Sequence, residues 1–429
     1  MTGSLSQGRP HVRRLWERAA HSFTVGQVSQ LVRGSIIWVT DSSLSGTLVI
    51  VTGDMGWSQL DSRDNALNTI RLALAATVVL AHSWQFVHGY NWPPLSYASG
   101  VAVDGFFVLS GFLIAGSRMK VTLATFLLRR ALRILPGFWA VLLVTAFCVA
   151  PLVAAVQGAG FDWWSAAGYV TRNAALAIHQ PDISGLAASA PVPIWNSSLW
   201  TLIWEGAAYL MAGVLLWREE WRRSGSWMLL GGLTFVLITW FSAELGGGQG
   251  RPLTLLAFFA GGMALRFESH RLPLRKDIAA ASAATLACTF TLGSAVAYAI
   301  VGPVSVGYLL LWIAVRVPLR LGARNDISYG IYIYAAPLQM AAVTLGWAKA
   351  LGPIAFAGIS LASVVPAAWA SWVFVERPAM RLAGRKAGTR RFCLNPDLNV
   401  GGKQEVPAEQ RKVPPPPAVH SSQALPWLY

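Results

Sequence analysis

The dominant pattern along the chain is a series of long apolar runs separated by short polar connections. A helix that crosses a bilayer needs about 20 apolar residues, because each residue adds about 1.5 Å of rise. Runs that approach this length cover residues 67–88, 98–117, 137–156, 198–216, 226–245, 252–267, 277–292, 296–313, 328–348 and 353–375. The pattern predicts an all-α integral membrane protein with about ten transmembrane helices. Two runs are short and two nearly touch, so nine or eleven spans are alternatives.

Composition also places the chain in a membrane. Hydrophobic residues make up 54% of the 429 residues and charged residues only 12%, whereas soluble domains carry about 25% charge. The net charge of +15 could suggest nucleic acid, but the basic residues form short clusters between the apolar runs, as membrane topology requires. The three cysteines show no metal-ligand spacing. We therefore expect neither a nucleic-acid partner nor a bound metal.

The two ends of the chain lack the long apolar runs. Residues 1–62 mix arginines with scattered polar residues and contain no compact apolar region of the kind that a signal peptide needs. Residues 381–429 include the stretch KVPPPPAV, which is typical of an extended, disordered tail. The expected organisation is a poorly ordered extension over 1–62, a transmembrane domain over 63–380 and a basic, proline-rich tail over 381–429.

Lysine and arginine are distributed unevenly between the connections. With the first span starting in the cytoplasm, the outer connections carry Arg172, Arg251 and Lys349. The inner connections carry a much larger set: Arg118, Lys120, Arg129, Arg130, Arg133, Arg218, Arg222, Arg223, Arg266, Arg271, Arg275, Lys276, Arg316, Arg320 and Arg324. Because basic residues accumulate in cytoplasmic loops, we predict that both termini are cytoplasmic and that the number of spans is even.

The first span, NTIRLALAATVVLAHSW, holds two ionisable residues, Arg71 and His82. Eleven residues at about 100° each bring both side chains to nearly the same helix face, about 16 Å apart along the axis. Arg71 is near the inner end, where its side chain can reach lipid headgroups. His82 lies roughly 20 Å from the inner end, inside the bilayer. It is either a functional base or a buried histidine satisfied by a neighbouring helix.

Two acidic residues are predicted at the depth of His82. Asp104 is six residues from the outer start of the second span and Glu205 is seven from that of the fourth, so both lie about 9–10 Å below the outer surface. Ionisable residues in a bilayer usually face a partner or a water-filled cavity. A carboxylate beside an imidazole can fix its tautomer and support it as a general base for an alcohol. His82, Asp104 and Glu205 are therefore candidate catalytic residues, with a structural histidine–acid pair as the alternative.

Several short motifs follow one another in the order found in a known family. They are the Arg71 to His82 spacing, VDGFFVLSGFLI around Asp104, RRALRILP from Arg129, SLWTLIWEGAAYL around Glu205, ISYGIYIYAAP at 327–337 and ERP at 376–378. With these motifs, about residues 65–380 resemble the acyltransferase-3 family of bacterial membrane O-acyltransferases. Members of this family modify surface polysaccharides, lipid-linked sugars, nodulation factors and some antibiotics.

The resemblance implies a function as well as a fold. It implies transfer of an acyl group, usually acetyl, from cytoplasmic acyl-CoA across the bacterial inner membrane to a hydroxyl of a carbohydrate or glycolipid acceptor. It also implies that His82 is the general base and that Arg71, Arg130 and Arg133 bind the donor.

One position departs from the family pattern. Where many relatives carry a histidine near the end of the ninth-helix motif, this chain has Ala335, preceded by Tyr332 and Tyr334. A role for a second histidine is therefore absent or is taken by one of the tyrosines.

The basic stretch after the second span has two interpretations. Arg129 and Arg130 precede Arg133 by four and three residues, so the three share a helix face next to the anionic inner leaflet. They bind lipid headgroups, or they bind the phosphates of coenzyme A together with Arg71, because arginine suits bidentate phosphate contacts. In the second case the nucleotide stays at the cytoplasmic side while the pantetheine arm reaches toward His82.

A transporter or flippase for an acyl compound or a glycan intermediate is the alternative function, because it too would bury ionisable groups at one depth. It predicts pseudo-repeated halves, and no internal repeat is visible in the sequence. A transferase predicts instead a polar tunnel between the first, second and fourth spans. This tunnel would open near Arg71 and Arg133 and would reach His82, Asp104 and Glu205.

Overall fold

The computed structural model describes residues 55–61, 65–217, 231, 234, 251–322 and 325–382. Within these ranges the regular structure is helical and contains no strand. The α-helices are α1 Met55–Asp61, α2 Leu67–His88, α3 Pro93–Arg118, α4 Leu123–Val144, α5 Ala150–Gln157, α6 Trp163–Asn173, α7 Leu202–Leu215, α8 Arg251–Glu268, α9 Lys276–Thr291, α10 Ala295–Arg316, α11 Ser328–Thr344 and α12 Trp347–Ser371. A π turn, Thr145–Val149, joins α4 to α5, a 3₁₀ turn, Ser197–Thr201, leads into α7, and a π turn, Trp372–Glu376, follows α12.

The helices coincide with the predicted apolar runs. Each run forms a helix except 226–245, most of which lies outside the described residues. Six helical stretches of the described chain are long and apolar enough to cross a membrane: Leu67–His88, Pro93–Arg118, Leu123–Gln157, Ser197–Leu215, Ala295–Arg316 and Trp347–Leu382. An all-helical fold with several membrane spans is therefore confirmed, whereas the number ten and the cytoplasmic termini stay predictions.

α4 begins much earlier than the third apolar run. It starts at Leu123, although the run was expected from residue 137. Thr122 caps the helix, because its side chain accepts a hydrogen bond from the amide of Thr125. The basic stretch that was expected as a connection is therefore part of a long helix.

Part of the predicted N-terminal extension is helical. In α1, Trp57 and Leu60 are buried, and the Trp57 ring stacks on Phe112 of α3 with 5.7 Å between ring centres. Asp61 forms an ion pair with Arg266 at 2.9 Å. Residues 55–61 thus belong to the folded bundle, while the rest of the expected extension and the tail beyond residue 382 lie outside the described residues.

α3 and α8 approach each other through glycine. A Cβ atom on Gly111 would lie 2.0 Å from the carbonyl oxygen of Phe259, and one on Gly262 would lie 1.9 Å from that of Val108. Glycine therefore permits a backbone contact that any side chain would prevent, as is common where membrane helices pack through small residues. The contact fixes α3, which carries Asp104, against α8.

Candidate active site

Four charged side chains form a network at one end of the bundle, which we call the Arg71 end. Arg71 of α2 and Arg133 of α4 both donate to Oδ2 of Asp326, at 2.9 and 2.6 Å. Arg133 also donates to Glu376 at 2.8 Å. The side chains of Arg133, Asp326 and Glu376 are only 14%, 7% and 0% exposed. Two arginines and two carboxylates thus balance one another where little water is available to do so.

The Asp326 carboxylate is held in its charged form. Burial by itself would raise the pKa of Asp326, but the positive charges of Arg71 and Arg133 outweigh it. Ser328 adds a hydrogen bond to Oδ1 at 2.6 Å. Together these groups lower the pKa of Asp326 to about 2. Asp326 is therefore ionised at neutral pH and can neutralise both arginines.

The π turn after α12 contains Glu376, which is the second carboxylate of the network. Glu376 is the last residue of this turn, and Ser371 donates to it at 3.0 Å. The ring of Trp372, the first residue of the turn, has its centre 5.6 Å from the guanidinium carbon of Arg133. Aromatic faces attract guanidinium groups, and the extra residue of a π turn changes the direction of side chains. The turn therefore presents both Glu376 and Trp372 to Arg133.

Arg130 lies outside this network. Its Nη2 donates to Ser117 at 3.2 Å, and its guanidinium lies 5.8 and 5.9 Å from the ring centres of Phe126 and Tyr209. Among the described residues Arg130 forms no ion pair, and its buried Nε has no hydrogen-bond partner. Arg130 can therefore still bind an anion, whereas Arg133 is already paired with two carboxylates.

A cleft opens beside the network, between α2, α3, α7 and α11. Its empty space is about 490 Å³, including the part that opens to the surroundings. It is lined by Arg71, Val103, Phe106, Phe107, Ser110, Thr201, Leu202, Glu205, Ser328, Tyr329 and Tyr332. These walls combine polar and apolar groups, as ligand sites commonly do. Three of the four helices are those predicted to line a tunnel, and α11 is an addition. Within the described chain, no group of three or more His, Cys, Asp or Glu side chains is placed to hold a metal ion.

Glu205 lies in the cleft, and its hydrogen bond comes from Tyr209, one turn further along α7. It shares the cleft with Arg71, which helix geometry puts about 16 Å from His82. The expectation that Glu205 lies at the depth of His82 is therefore wrong.

The error comes from the segment that precedes α7. Asn196 is fully buried and accepts a hydrogen bond from Thr145 at 3.3 Å. Ser198 donates to the carbonyl of Tyr332, in the second turn of α11, at 3.0 Å. The chain thus enters the bundle before the helical stretch begins. Counting residues from a surface start therefore placed Glu205 too far from the Arg71 end.

Asp104 is fully buried in a separate ion pair. Arg251, the first residue of α8, donates to Oδ2 at 3.1 Å and lies 3.0 Å from Oδ1. Tyr298 of α10 donates to Oδ2 at 2.9 Å. Asp104 therefore joins α3 to α8 and α10. Among the described residues it has no hydrogen bond to His82 or Glu205.

His82 is the least restrained of the predicted site residues. Its Nδ1 is 3.4 Å from Oε1 of Gln85, one turn along α2. No hydrogen bond joins its ring to another helix in the part of the chain that the structure describes. The predicted cluster of His82 with Asp104 and Glu205 is therefore not assembled, because each carboxylate has a different partner.

The partners that hold these side chains in place are Asp326, Glu376, Arg251 and Tyr298, and none of them was predicted as a site residue. Asp326 directly precedes the ISYG motif and Glu376 opens the ERP motif, so both were visible as acids at the edges of apolar runs. Arg251 was counted only as a loop charge. Tyr298 gave no signal, because a tyrosine in an apolar run is ordinary and its hydroxyl partner depends on the tertiary fold.

The model of the acyltransferase domain family matches residues 64–373, a range that includes His82 and the whole cleft. The chain belongs to the acyltransferase-3 family. It is therefore an acyltransferase, and the apolar helices make it a multi-pass membrane protein.

The matched regions cover most of the length of two curated relatives. An O-acetyl transferase of Shigella phage Sf6 is 27% identical over 292 residues, which cover 66% of this chain and 86% of the relative. Nodulation protein 10 of Rhizobium leguminosarum bv. viciae is 26% identical over 369 residues, which cover 74% of this chain and 94% of the relative. No solved structure matches the chain.

Proposed function

We propose that this acyltransferase moves an acyl group, most simply acetyl, from cytoplasmic acyl-CoA to a hydroxyl of a surface or lipid-linked carbohydrate. The family match and the O-acetyl transferase relative support an oxygen acceptor. The cleft is the observation that carries the proposal, because it begins at Arg71, on the helix face that also bears His82. The family match favours this function over a transporter or flippase.

The donor enters this proposed site from the Arg71 end, with its nucleotide outside the cleft. Arg130 binds phosphate directly, since it has no carboxylate partner among the described residues and guanidinium groups suit phosphate. Arg71 and Arg133 add positive charge, and they bind phosphate only by giving up contacts to Asp326 and Glu376. The roles of the three arginines are thus unequal.

His82 is the proposed general base. When Nδ1–H donates to Gln85, Nε2 is left with a free lone pair that can accept the proton of the acceptor hydroxyl. The hydroxyl oxygen then attacks the thioester carbonyl carbon, the carbon–sulfur bond breaks, and the imidazolium returns its proton to the departing thiolate. Asp104 and Glu205 support this reaction without bonding the imidazole. Asp104 holds α3 in place, and Glu205 forms part of the donor's path.

The proposed location is the bacterial inner membrane, with both termini and the donor on the cytoplasmic side. The excess of lysine and arginine in alternate connections supports this orientation. The acceptor then meets the donor at the His82 end, near the opposite surface. Membrane lipids surround the helices in this arrangement.

The experiment compares the ester content of glycans from cells that lack the gene with that of cells that carry it. We expect ester groups to disappear without the gene and to return with the wild-type chain but not with the His82→Ala variant. The purified full chain in lipid nanodiscs should transfer labelled acetyl from acetyl-CoA to the same glycan. Unchanged ester content, together with a changed location of the glycan across the membrane, would contradict acyl transfer and support a flippase.

A further inference from the structure

A pair of hydroxyl groups lines the cleft. The oxygen atoms of Tyr332 and Thr201 are 2.6 Å apart, and both residues line the cleft. Tyr332 belongs to α11 and Thr201 to the 3₁₀ turn before α7. Their hydrogen bond therefore joins two walls of the cleft.

Helix geometry places this pair between Arg71 and His82. Tyr332 lies four residues, or about 6 Å, along α11 from Ser328, which bonds the partner of Arg71. His82 lies about 16 Å along α2 from Arg71. Tyr332 and Thr201 therefore lie at a depth between those of Arg71 and His82, in the cleft that Arg71 also lines.

The position of the Tyr332 hydroxyl is fixed by its surroundings. The ring of Phe106 packs edge-on against the Tyr332 ring, with 6.0 Å between ring centres, and Ser198 donates to the backbone carbonyl of Tyr332. The mutual bond of Tyr332 and Thr201 uses only one of their two O–H groups. When Tyr332 is the donor, the second O–H is that of Thr201, and it makes only a long contact of 3.4 Å to the carbonyl of Ser198. A ligand carbonyl can take this donor in place of Ser198, and several lone pairs also remain available.

We propose that Tyr332 and Thr201 bind the amide-bearing arm of the donor, between its phosphates and its thioester. This inference rests on the proposed function, in which the donor is acyl-CoA. A secondary amide of the arm accepts a hydrogen bond from the remaining O–H and donates its N–H to a hydroxyl oxygen. The arm thus replaces only the long contact between Thr201 and Ser198, and it gains two hydrogen bonds at one fixed point.

The same geometry separates the two tyrosines that precede Ala335. Tyr334 is two residues beyond Tyr332 and therefore about 200° further around α11. Its hydroxyl interacts with Ser371 of α12. Tyr332 is the substrate-facing tyrosine in this proposal, and Tyr334 supplies a matched control on the same helix.

The test is a calorimetric titration of the full chain in lipid nanodiscs with two probes: coenzyme A, and adenosine 3′,5′-bisphosphate, which is its nucleotide half without the arm. Tyr332→Phe and Thr201→Val should each weaken coenzyme A binding about three- to tenfold, the usual effect of losing one hydrogen bond. Both variants should bind the bisphosphate as the wild type does. Tyr334→Phe should bind both probes normally.

The outcomes separate this inference from the proposed function. Unchanged coenzyme A affinity in both Tyr332→Phe and Thr201→Val would overturn the arm site and leave the donor intact. An equal loss for both probes would also overturn it, because the loss would not be specific to the arm. Arg130→Gln should weaken both probes. If coenzyme A does not bind the wild-type chain at all, the proposed donor fails, and the arm site fails with it.

Discussion

The two ends of α2 carry Arg71 and His82, and their surroundings are opposite. Arg71 belongs to a closed group of two arginines and two carboxylates that leaves little of its charge uncompensated. His82 has one long hydrogen bond to Gln85 on its own helix. Buried charges that are fully paired hold helices together, whereas a lightly held imidazole keeps a lone pair for a substrate. The degree of pairing therefore separates the group that organises the fold from the group that we propose as the general base.

Asp104 belongs with the paired residues, although the sequence placed it beside His82. Its carboxylate faces Arg251 and Tyr298, and it is fully buried. The contrast between Asp104 and His82 is therefore the same as that between the two ends of α2. This contrast can be tested by substituting one of the paired residues and, separately, His82.

The largest effect on stability is expected when the charge network at the Arg71 end is broken. Asp326→Ala would leave Arg71 and Arg133 without their shared carboxylate, and breaking a buried ion pair costs about 3–5 kcal/mol. The unfolding free energy of the purified chain in detergent should fall by this amount. Asp277→Ala removes an exposed aspartate paired with Arg275 and should change nothing measurable. A fully stable Asp326→Ala variant would show that the network does not organise the fold.

Removing the His82 imidazole should change the unfolding free energy less than Asp326→Ala does, but it should slow acyl transfer strongly. His82→Ala should reduce acyl transfer about 100-fold or more, which is the usual contribution of a positioned base, and should leave the unfolding midpoint unchanged. His88→Ala is the matched control, because this exposed histidine lies at the end of the same helix. Activity within a few-fold of the wild type in His82→Ala would remove the proposed base.

Tyr298→Phe tests whether Asp104 is structural or catalytic. The substitution removes one of the donors to the carboxylate and keeps the aromatic ring, so we expect a stability loss of about 0.5–1.5 kcal/mol. Turnover per folded molecule should stay at the wild-type level. A variant with normal stability and a large loss of turnover would instead place Asp104 in the chemistry.

The smallest effect is expected from pH in the neutral range. Because the pKa of Asp326 is lowered to about 2, the folded chain keeps this carboxylate charged where the unfolded chain already binds a proton. Its contribution to stability is therefore complete above the ordinary pKa of about 4 and is lost as the pH falls toward about 2. The difference in unfolding free energy between the wild type and Asp326→Asn should stay constant from pH 7 to pH 5 and shrink below pH 4. A difference that shrinks above pH 5 would show that the arginines do not hold the carboxylate.

The helical fold could be predicted because each span must satisfy its own backbone and bury its side chains in lipid or protein. Both requirements are local, and both are visible in the sequence as apolar runs such as 67–88 and 353–375. The start of α4 could not be predicted in the same way, because its basic residues look like a loop until their partners are known. Arg133 can be buried in the bundle because Asp326 and Glu376 lie opposite it and compensate its charge.

In the candidate site, too, the local relations could be predicted from the sequence and the tertiary ones could not. Arg71 and His82 share a helix face by periodicity alone, so their relation was visible in the sequence. The depth of Glu205 was not, because it depends on how the chain before α7 enters the bundle through Asn196 and Ser198. A residue count measures depth only when its starting point lies at the membrane surface.

The sequence by itself determined the membrane class, the position of the apolar helices, the family and the common face of Arg71 and His82. Each of these depends on residue type and spacing within one segment. Only the tertiary structure decided the partners that lie on other segments: Asp326 for Arg71, Arg251 for Asp104, and Thr201 for Tyr332. The physical reason is that hydrogen bonds and ion pairs act over a few ångströms, and residues 131 to 255 positions apart come within that range only when the helices pack.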